Sequence, residues 1–554
     1  MIKREDLANL IFPDVKENIE DLEKKYPARN LKEGAKVTRF APSPTGFLHT
    51  GSLFTSLVSS KIAKDSEGVF YLRLEDTDTK REIEGSGEKL IEQLAKFNII
   101  ADEGYNGSNE KGIYGPYKQS DRKMIYRTVI KEMILKDLAY PCFASPEELD
   151  ALREKQTELK EITGYYGKYA IYRNLTIEEA YNKIKNGDPY VIRFKSKGDH
   201  LNKIKVHDEI RGDLELTQND QDVVILKSDG LPTYHFAHAC DDHFMHTNLV
   251  TRGEEWLPSL PLHIDLFTSL GFKLPKYAHL PVIMKMEDGK RRKLSKRKDP
   301  EASVDYFLEK GYEPQSLLVY LMTIANSNYE DFIVTSKDYN LDHFKFNLKK
   351  MSLDGALFDI EKLNFYGKEI LSKMTKEEIY SKSLEYAKKY DEKLLNFINK
   401  NNDKYIDILN IEREKKNPRK DYAKYNDIYE MIKFFDNDEY KELIKNSNLE
   451  FNPNISKEII KNFLIEYKNH IYLNEDENTW YSGVKEAGSK FNFATDSKAF
   501  KENPSAFIGN MNDACEILRI VVSSRKVTPN LFSIMKILKK EEVISRIDFI
   551  LNII

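Results

Sequence analysis

The chain has 554 residues, 40% apolar and 32% charged, with a formal net charge of −4. At about 100 to 200 residues per domain, this length implies three to five globular units. No apolar run reaches the roughly 18 residues of a membrane span and no signal-type stretch follows the first residues, so a cytoplasmic protein without a membrane partner is expected.

Residues 1–36 combine a helical-looking segment (1–12) with a charged one (14–25) and read as an N-terminal extension, a surface strap. A strand is expected at 37–41. Pro42 and Pro44 forbid a helix and Gly46 permits a sharp turn, so helix begins only around Ser52 and runs to about 63. His49, Thr50 and Gly51 therefore sit at or just before a helix N-terminus, where free N–H groups and the positive dipole end favour an anion. A strand at 69–74 and a helix at 84–97 continue the alternation of a parallel sheet wrapped by helices. The turn formers of 102–109 break it.

Between 112 and 222 the alternation is lost: polar helices (121–136, 146–160) and a strand pair (190–194 with 213–216) suggest an insertion. The β/α pattern resumes with strand 223–226, a helix from Tyr234, strand 249–251, a helix from Leu257 and strand 280–284. Glu287-Asp288-Gly289-Lys290 reads as a hairpin turn. After it, Arg291, Arg292, Lys293, Lys296, Arg297 and Lys298 place six cations in eight positions. Such a loop is either a solvated basic surface or a mobile clamp that neutralises a triphosphate as charge builds on it. From about 370 the chain is helical, dominated by Lys, Glu, Asn and Tyr.

Two segments, Ala41-Pro42-Ser43-Pro44-Thr45-Gly46-Phe47-Leu48-His49-Thr50-Gly51 and Lys293-Leu294-Ser295-Lys296-Arg297, resemble the HIGH and KMSKS motifs of class I aminoacyl-tRNA synthetases, in the bacterial glutamyl version. Arg73-Leu74-Glu75-Asp76-Thr77-Asp78, Leu226 to His235 and Arg252-Gly253-Glu254-Glu255-Trp256 agree in the same order, and Ser352 to Leu363 and Pro529-Asn530-Leu531-Phe532 carry the likeness along nearly the whole chain.

The resemblance implies a Rossmann-like α/β catalytic core with an inserted acceptor-binding α+β domain, followed by all-α stem-contact and anticodon-binding domains. The expected divisions are 1–36 (extension), 37–111 and 223–288 (the two core halves), 112–222 (insertion), 289–370 (KMSKS loop and stem contact) and 371–554 (anticodon-binding region). It implies ATP, Mg²⁺ carried with ATP, L-glutamate and tRNA(Glu) as partners of a monomer. The expected reaction forms glutamyl-adenylate and passes the glutamyl group to the 2′-OH of the terminal adenosine. His49, Lys293 and Lys296 would be catalytic, and Gly51, Ser52, Glu255 and Ser295 would join them around ATP. Arg39, Ala41, Ser43, Glu75, Tyr234, His238 and Arg252 would hold glutamate, His238 standing where many relatives have Asn.

Two carboxylates and one ammonium call for two cations and one anion, which Arg39, Arg252 and Glu75 supply. Asp78, Arg413 and Arg419 are candidate tRNA contacts. Arg413, Lys415, Lys416, Arg419 and Lys420 near Tyr422 and Tyr425 could combine phosphate contact with base stacking, or form an exposed linker.

The cysteines, Cys142, Cys240 and Cys515, are too dispersed for a disulfide framework, and Cys142 alone falls in the inserted region that carries zinc in some relatives, so no structural zinc is expected. Asp241, Asp242, His243 and His246 share spacings that could bind a metal; the similar Asp-Asp-His segment of family members needs none, and no metal ligands are assigned. The alternatives are a non-discriminating enzyme that also glutamylates tRNA(Gln), a glutaminyl enzyme, and a catalytically silent tRNA-binding paralogue. The last would be expected to lack His49, Glu75 or the lysines, and all are present.

Overall fold

The computed structural model describes residues 2–554 except 79, 81, 108 and 448, so Met1 of the expected first helix and Ser108 of the turn-rich break lie outside the described residues. The chain divides into two compact units, Met1–Tyr306 with Leu318–Asp359, and Phe307–Leu317 with Ile360–Ile554.

The first unit begins with helices α1 (Arg4–Ile11) and α2 (Ile19–Lys25). Then come β1 (Val37–Phe40), α3 (Thr50–Asp65), β2 (Val69–Leu72), α4 (Ser86–Lys96), β3 (Glu103–Tyr105) and β4 (Glu110–Lys111). The middle holds α5 (Lys123–Leu135), β5 (Ala139–Cys142), α6 (Pro146–Glu158), α7 (Ile177–Lys185), β6 (Val191–Phe194), β7 (Lys203–Asp208), β8 (Gly212–Thr217) and β9 (Val224–Leu226). It continues with α8 (Tyr234–Phe244), β10 (Leu249–Gly253), α9 (Leu260–Leu270), β11 (Lys276–Leu280), β12 (Ile283–Glu287) and β13 (Lys290–Lys293), and β14 (Ala356–Leu357) comes later.

β1 and β2 are buried along almost their whole length, as strands covered on both faces must be, and β1, β2 and β3 run parallel with β4 antiparallel at the edge. A second sheet has the order β10-β11-β7-β8, with β10, β11 and β7 parallel. The two sheets meet through Asn248, whose N–H donates to Val37 O, while its side chain accepts from Val37 N–H and donates to Ala35 O. This junction of β1 with β10 is where the winding direction reverses, the place at which an α/β sheet opens a crevice beyond its strand ends.

Three expected strands sit elsewhere. β8 pairs with β7, which sequence reading missed, and not with β6; the turn between Asp208 and Gly212 makes them neighbours, and β7 then joins β11 at the Tyr277–Asp208 pair. β9 belongs to an antiparallel sheet with β5 and β6, so the core resumes only at α8. The expected strand 280–284 is the junction of two strands interrupted at Pro281: β11 in the second sheet and β12, which hairpins with β13 and pairs with β14. Asp288 and Gly289, both at positive φ (50° and 76°), form the expected tight turn of that hairpin.

The N-terminal extension is no surface strap. Leu7, Ala8, Ile11, Phe12, Val15, Leu22 and Tyr26 enter the same apolar core as Val37, Ile130 and Phe236. Residues 7, 8 and 11 share one face of α1, and 12 and 15 extend the apolar contact into the turn after it, a burial worth about 1.5–3 kcal/mol for each large side chain. Arg29 ties the segment down with a bidentate pair to Glu103 (2.8 and 2.9 Å) and a bond to Met245 O.

The second unit is helical, from Ile360–Lys373 to Leu531–Leu551; its strands among the described residues are the two-residue pair Phe493–Ala494 and Gly509–Asn510.

Candidate active site

β1 ends in Arg39 and Phe40, and the Pro-rich turn delivers the chain to His49, the N-cap of α3. The His49 ring Nδ1 accepts the Gly51 N–H at 2.9 Å, so the ring carries its proton on Nε2. Burial, assisted by Lys296 and Lys293, pushes its pKa down to about 4. His49 is thus a neutral donor at a helix N-terminus.

A cavity of about 1440 Å³ opens in front of it, lined by Arg39, Ala41, Ser43, His49, Gly51, Ser52, Glu75, Asp78, Tyr234, Arg252, Glu255, Lys293 and Lys296 among others. Most of the expected site residues therefore converge. His238 and Ser295 are not on its wall. His238 is fully buried behind Tyr234, its Nδ1 2.9 Å from Asp242 and its Nε2 3.2 Å from the Tyr277 hydroxyl. Ser295 turns its main-chain N–H to Asp299 and its hydroxyl to the Arg297 N–H.

Beneath the cavity lies a buried ionic network. Arg39 Nε meets Asp242 at 3.2 Å, Arg73 pairs with Asp242 (2.6 Å), Glu75 (2.9 Å) and Asp241 (3.6 Å), and Arg122 meets Asp241 at 2.6 Å. Burial opposes the Asp242 charge, yet Arg39, Arg73 and His238 hold its carboxyl well below the usual range. Burial pushes Glu75 up, against the pull of Arg73. Three arginines and three carboxylates balance one another, which explains the Asp-Asp-His segment without a metal. His243 and His246 turn away from the network, to Glu23 and to Tyr26 O. Among the described residues no group of three or more His, Cys, Asp or Glu could hold a metal ion. Cys142 is buried against the Tyr165 hydroxyl.

Arg252, at the end of β10, is only 4% exposed, and among the described residues it forms no ion pair with a carboxylate. Its Nε donates to His279 Nε2 (2.9 Å), one Nη to His263 Nδ1 (2.9 Å) and the other to Trp256 O (3.3 Å). An isolated buried cation is costly, so this one awaits an anion. Sequence reading missed His263 and His279; the signal was a histidine inside each of two largely apolar segments, α9 and β11.

On the other side, Lys293 Nζ lies 3.1 Å from Glu255, and Lys296 stands 5.3 Å from the centre of the Phe47 ring. Arg292 joins Glu287 (2.7 Å) to Asp299 (2.6 Å), pinning the base of the cationic loop. Glu255 folds back over Gly253, where a Cβ would come within 2.1 Å of its Oε2.

In the second unit the cationic cluster is divided: Arg413 turns inward, while Lys415, Lys416 and Lys420 are exposed. Arg413 donates to the carbonyls of Leu371 (2.6 Å), Met374 (3.0 Å) and Leu409 (2.9 Å), capping helix C-termini. Arg419 forms a pair with Asp421 at 2.7 Å, and Tyr425 is buried with its hydroxyl on Glu313, so that ring has no face for a base.

A parallel-stranded core split by an insertion, a helix N-terminus at the strand ends and a facing cationic hairpin define a class I synthetase catalytic domain. Residues 36–365 match the family described as tRNA synthetases class I (E and Q), catalytic domain, and residues 485–551 match an anticodon binding domain. The chain belongs to that class I family. It is 46% identical over 544 residues to a protein of Clostridium perfringens named glutamate–tRNA ligase, covering 98% of this chain and 100% of the relative. A Clostridium beijerinckii protein of the same name is 44% identical, covering 99% and 100%. Among solved structures, a glutamate tRNA ligase from Elizabethkingia meningosepticum in complex with its amino acid superposes with a TM-score of 0.73 at 29% identity, covering 93% of this chain and 99% of that one. No helix among the described residues is long and apolar enough to cross a membrane.

Proposed function

We propose that this protein is a glutamate–tRNA ligase of the cytoplasm, activating L-glutamate with ATP and transferring it to the terminal adenosine of tRNA(Glu). Relatives of that name at 43–46% identity over nearly the whole chain support the reading. The observation that carries it is the charge count of the pocket. The buried network is balanced and Arg252 adds one positive charge, which matches glutamate, with two carboxylates and one ammonium. Glutamine has one carboxylate and would leave one of the two arginines, Arg39 or Arg252, facing a carboxamide, a penalty that discriminates strongly in a dry site.

In this reading Arg252 and Arg39 take the carboxylates, Glu75 and Ser43 face the ammonium, and Tyr234 packs on the side chain. ATP enters with its own Mg²⁺, as is general in this family, and its phosphates lie at the α3 N-terminus. The glutamate α-carboxylate oxygen attacks the α-phosphorus; the new O–P bond forms as the bond to pyrophosphate breaks. Charge growing on the phosphates meets the His49 Nε2–H, the positive end of the α3 dipole, and Lys293 and Lys296. Lys293 exchanges Glu255 for phosphate as it does so. The 2′-OH of the terminal adenosine then displaces AMP from the adenylate, and no side chain need be a strong acid or base.

The test is glutamate-dependent pyrophosphate exchange, with and without tRNA, followed by charging of purified tRNA(Glu) and tRNA(Gln). Glutamate on tRNA(Glu) is the expected product. Charging with glutamine would overturn the reading, and glutamate on both tRNAs would make the enzyme non-discriminating.

A further inference from the structure

We propose that His263 and His279 are positioning residues that aim Arg252 at the side-chain carboxylate of the amino acid while leaving its charge unspent, and thereby set the preference for a carboxylate over a carboxamide; this rests on the reading above, in which Arg252 and Arg39 share the two carboxylates. Buried arginines are ordinarily steadied by acids, and the neighbouring Arg39, Arg73 and Arg122 are. Arg252 is steadied by two imidazoles.

The hydrogen-bond directions fix their states. A guanidinium only donates, so His279 Nε2 and His263 Nδ1, each 2.9 Å from it, must both be acceptors. His279 Nδ1 lies 2.7 Å from Asp208 Oδ2, an obligate acceptor, and so carries the ring proton. Asp208 is itself held by its other oxygen on the N–H groups of Ile210 and Arg211 at the β7–β8 turn. His263 Nε2 is 2.9 Å from His235 Nδ1, and with its Nδ1 taken as acceptor the neutral ring donates there. Both rings are therefore neutral, each with one tautomer fixed by a partner behind it. Burial, the largest influence on both, holds their pKa values down in the same sense.

Two neutral acceptors give Arg252 the direction that a bidentate acid would give without cancelling its charge. The Tyr277 ring, 4.9 Å from the guanidinium, supports the cation from one face without neutralising it. An acid at either histidine position would pair with Arg252 and compete with the substrate carboxylate. The selectivity for an acidic amino acid thus depends on the absence of charge one layer behind the arginine.

The experiment uses the full-length protein and two variants alike in size that differ in charge, His263→Gln and His263→Glu. Glutamine can accept from Arg252 and donate to His235, as the native ring does. His263→Gln is expected to keep the glutamate KM within about threefold of wild type, with His279→Gln behaving alike because it can donate to Asp208. His263→Glu is expected to raise the glutamate KM by about tenfold or more and to lower the glutamate-over-glutamine ratio of kcat/KM, with the ATP KM unchanged.

Unfolding midpoints of the variants separate misfolding from mistuned charge. Should His263→Glu fail to fold, His263→Phe, which removes the acceptor, is expected to raise the glutamate KM selectively. Equal glutamate KM values in the folded Gln and Glu variants would overturn the proposal, and so would an unchanged KM in His263→Phe where that variant stands in. Arg252→Lys is the control. An unchanged glutamate KM there would sink the assignment of Arg252 itself, whereas a raised KM there beside a normal His263→Glu would sink only the role of the histidines.

Discussion

At the scale of residues, the site divides its charges into those already satisfied and those kept for substrates. Lys296 rests near Phe47 on the loop after β13, on the wall of the cavity, so its ammonium is placed to meet the phosphates. Lys296→Ala should reduce the single-turnover rate of adenylate formation by on the order of 10²–10³-fold, the usual worth of one well-placed donor, with glutamate binding intact. A near-normal rate would remove Lys296 from the chemistry. His49, held near pKa 4, is neutral from about pH 5.5 to 8 and should add no step to the pH dependence of kcat/KM for ATP there. The sign for stability follows from the same shift. Below the ordinary value of 6.5 the unfolded chain takes up the proton first, so this residue lowers stability as pH falls toward 4 and adds nothing above 6.5. A step near 6.5 that vanishes in His49→Asn would contradict the neutral-donor role.

The residues that touch the cavity were legible because motif chemistry is local: a turn before a helix and a run of cations announce themselves in a few positions. What lay behind them was not. His263 and His279 come from α9 and β11 and reach Arg252 only once the sheet is assembled, and the pairing of Asp241 with Arg122 bridges 119 positions. Nor were the partners of Arg413, since a cation beside tyrosines in sequence says nothing of the carbonyls that fold against it.

At the scale of elements, the helical character of residues 1–12 was visible, and only its destination was misjudged. Short amphipathic helices gain most of their stability from what they pack against. Leu7 and Phe12 are 4% and 1% exposed, so Leu7→Ala or Phe12→Ala should destabilise the first unit by about 2–5 kcal/mol, read as a lower denaturant midpoint. A shift within error would restore the strap. Arg413→Ala should likewise lower thermal stability, by about 1–3 kcal/mol for the carbonyls it leaves bare, while the KM for tRNA stays within about twofold. A large rise in tRNA KM without loss of stability would return Arg413 to the RNA interface. Strand partners were the least legible elements: β7 is a polar, half-exposed strand whose register is set by its turn and by a single contact with β11.

At the scale of the whole molecule, a net charge of −4 must coexist with a polyanionic substrate. Binding then depends on local clusters of Lys and Arg that release counterions. The KM for tRNA should rise by on the order of tenfold between about 50 and 200 mM salt, while the KM for glutamate, bound in a buried pocket, changes little. A tRNA KM indifferent to salt would mean that recognition is carried by shape and bases more than by phosphates. The division into an α/β unit and a helical one was legible from composition and periodicity, because the loss of β-type segments after about residue 370 needs no tertiary information.

One stretch of backbone has a role in distance. Arg252 and Glu255 are three residues apart at the end of β10, with Glu255 folded tightly over Gly253. The proposed seats of the amino acid and of the nucleotide are thus joined covalently, by a chain too short to span more than about 11 Å. This segment acts as a gauge of fixed length. In the proposed reaction it would set the distance between carboxylate and α-phosphorus against a standard that no closure has to re-create.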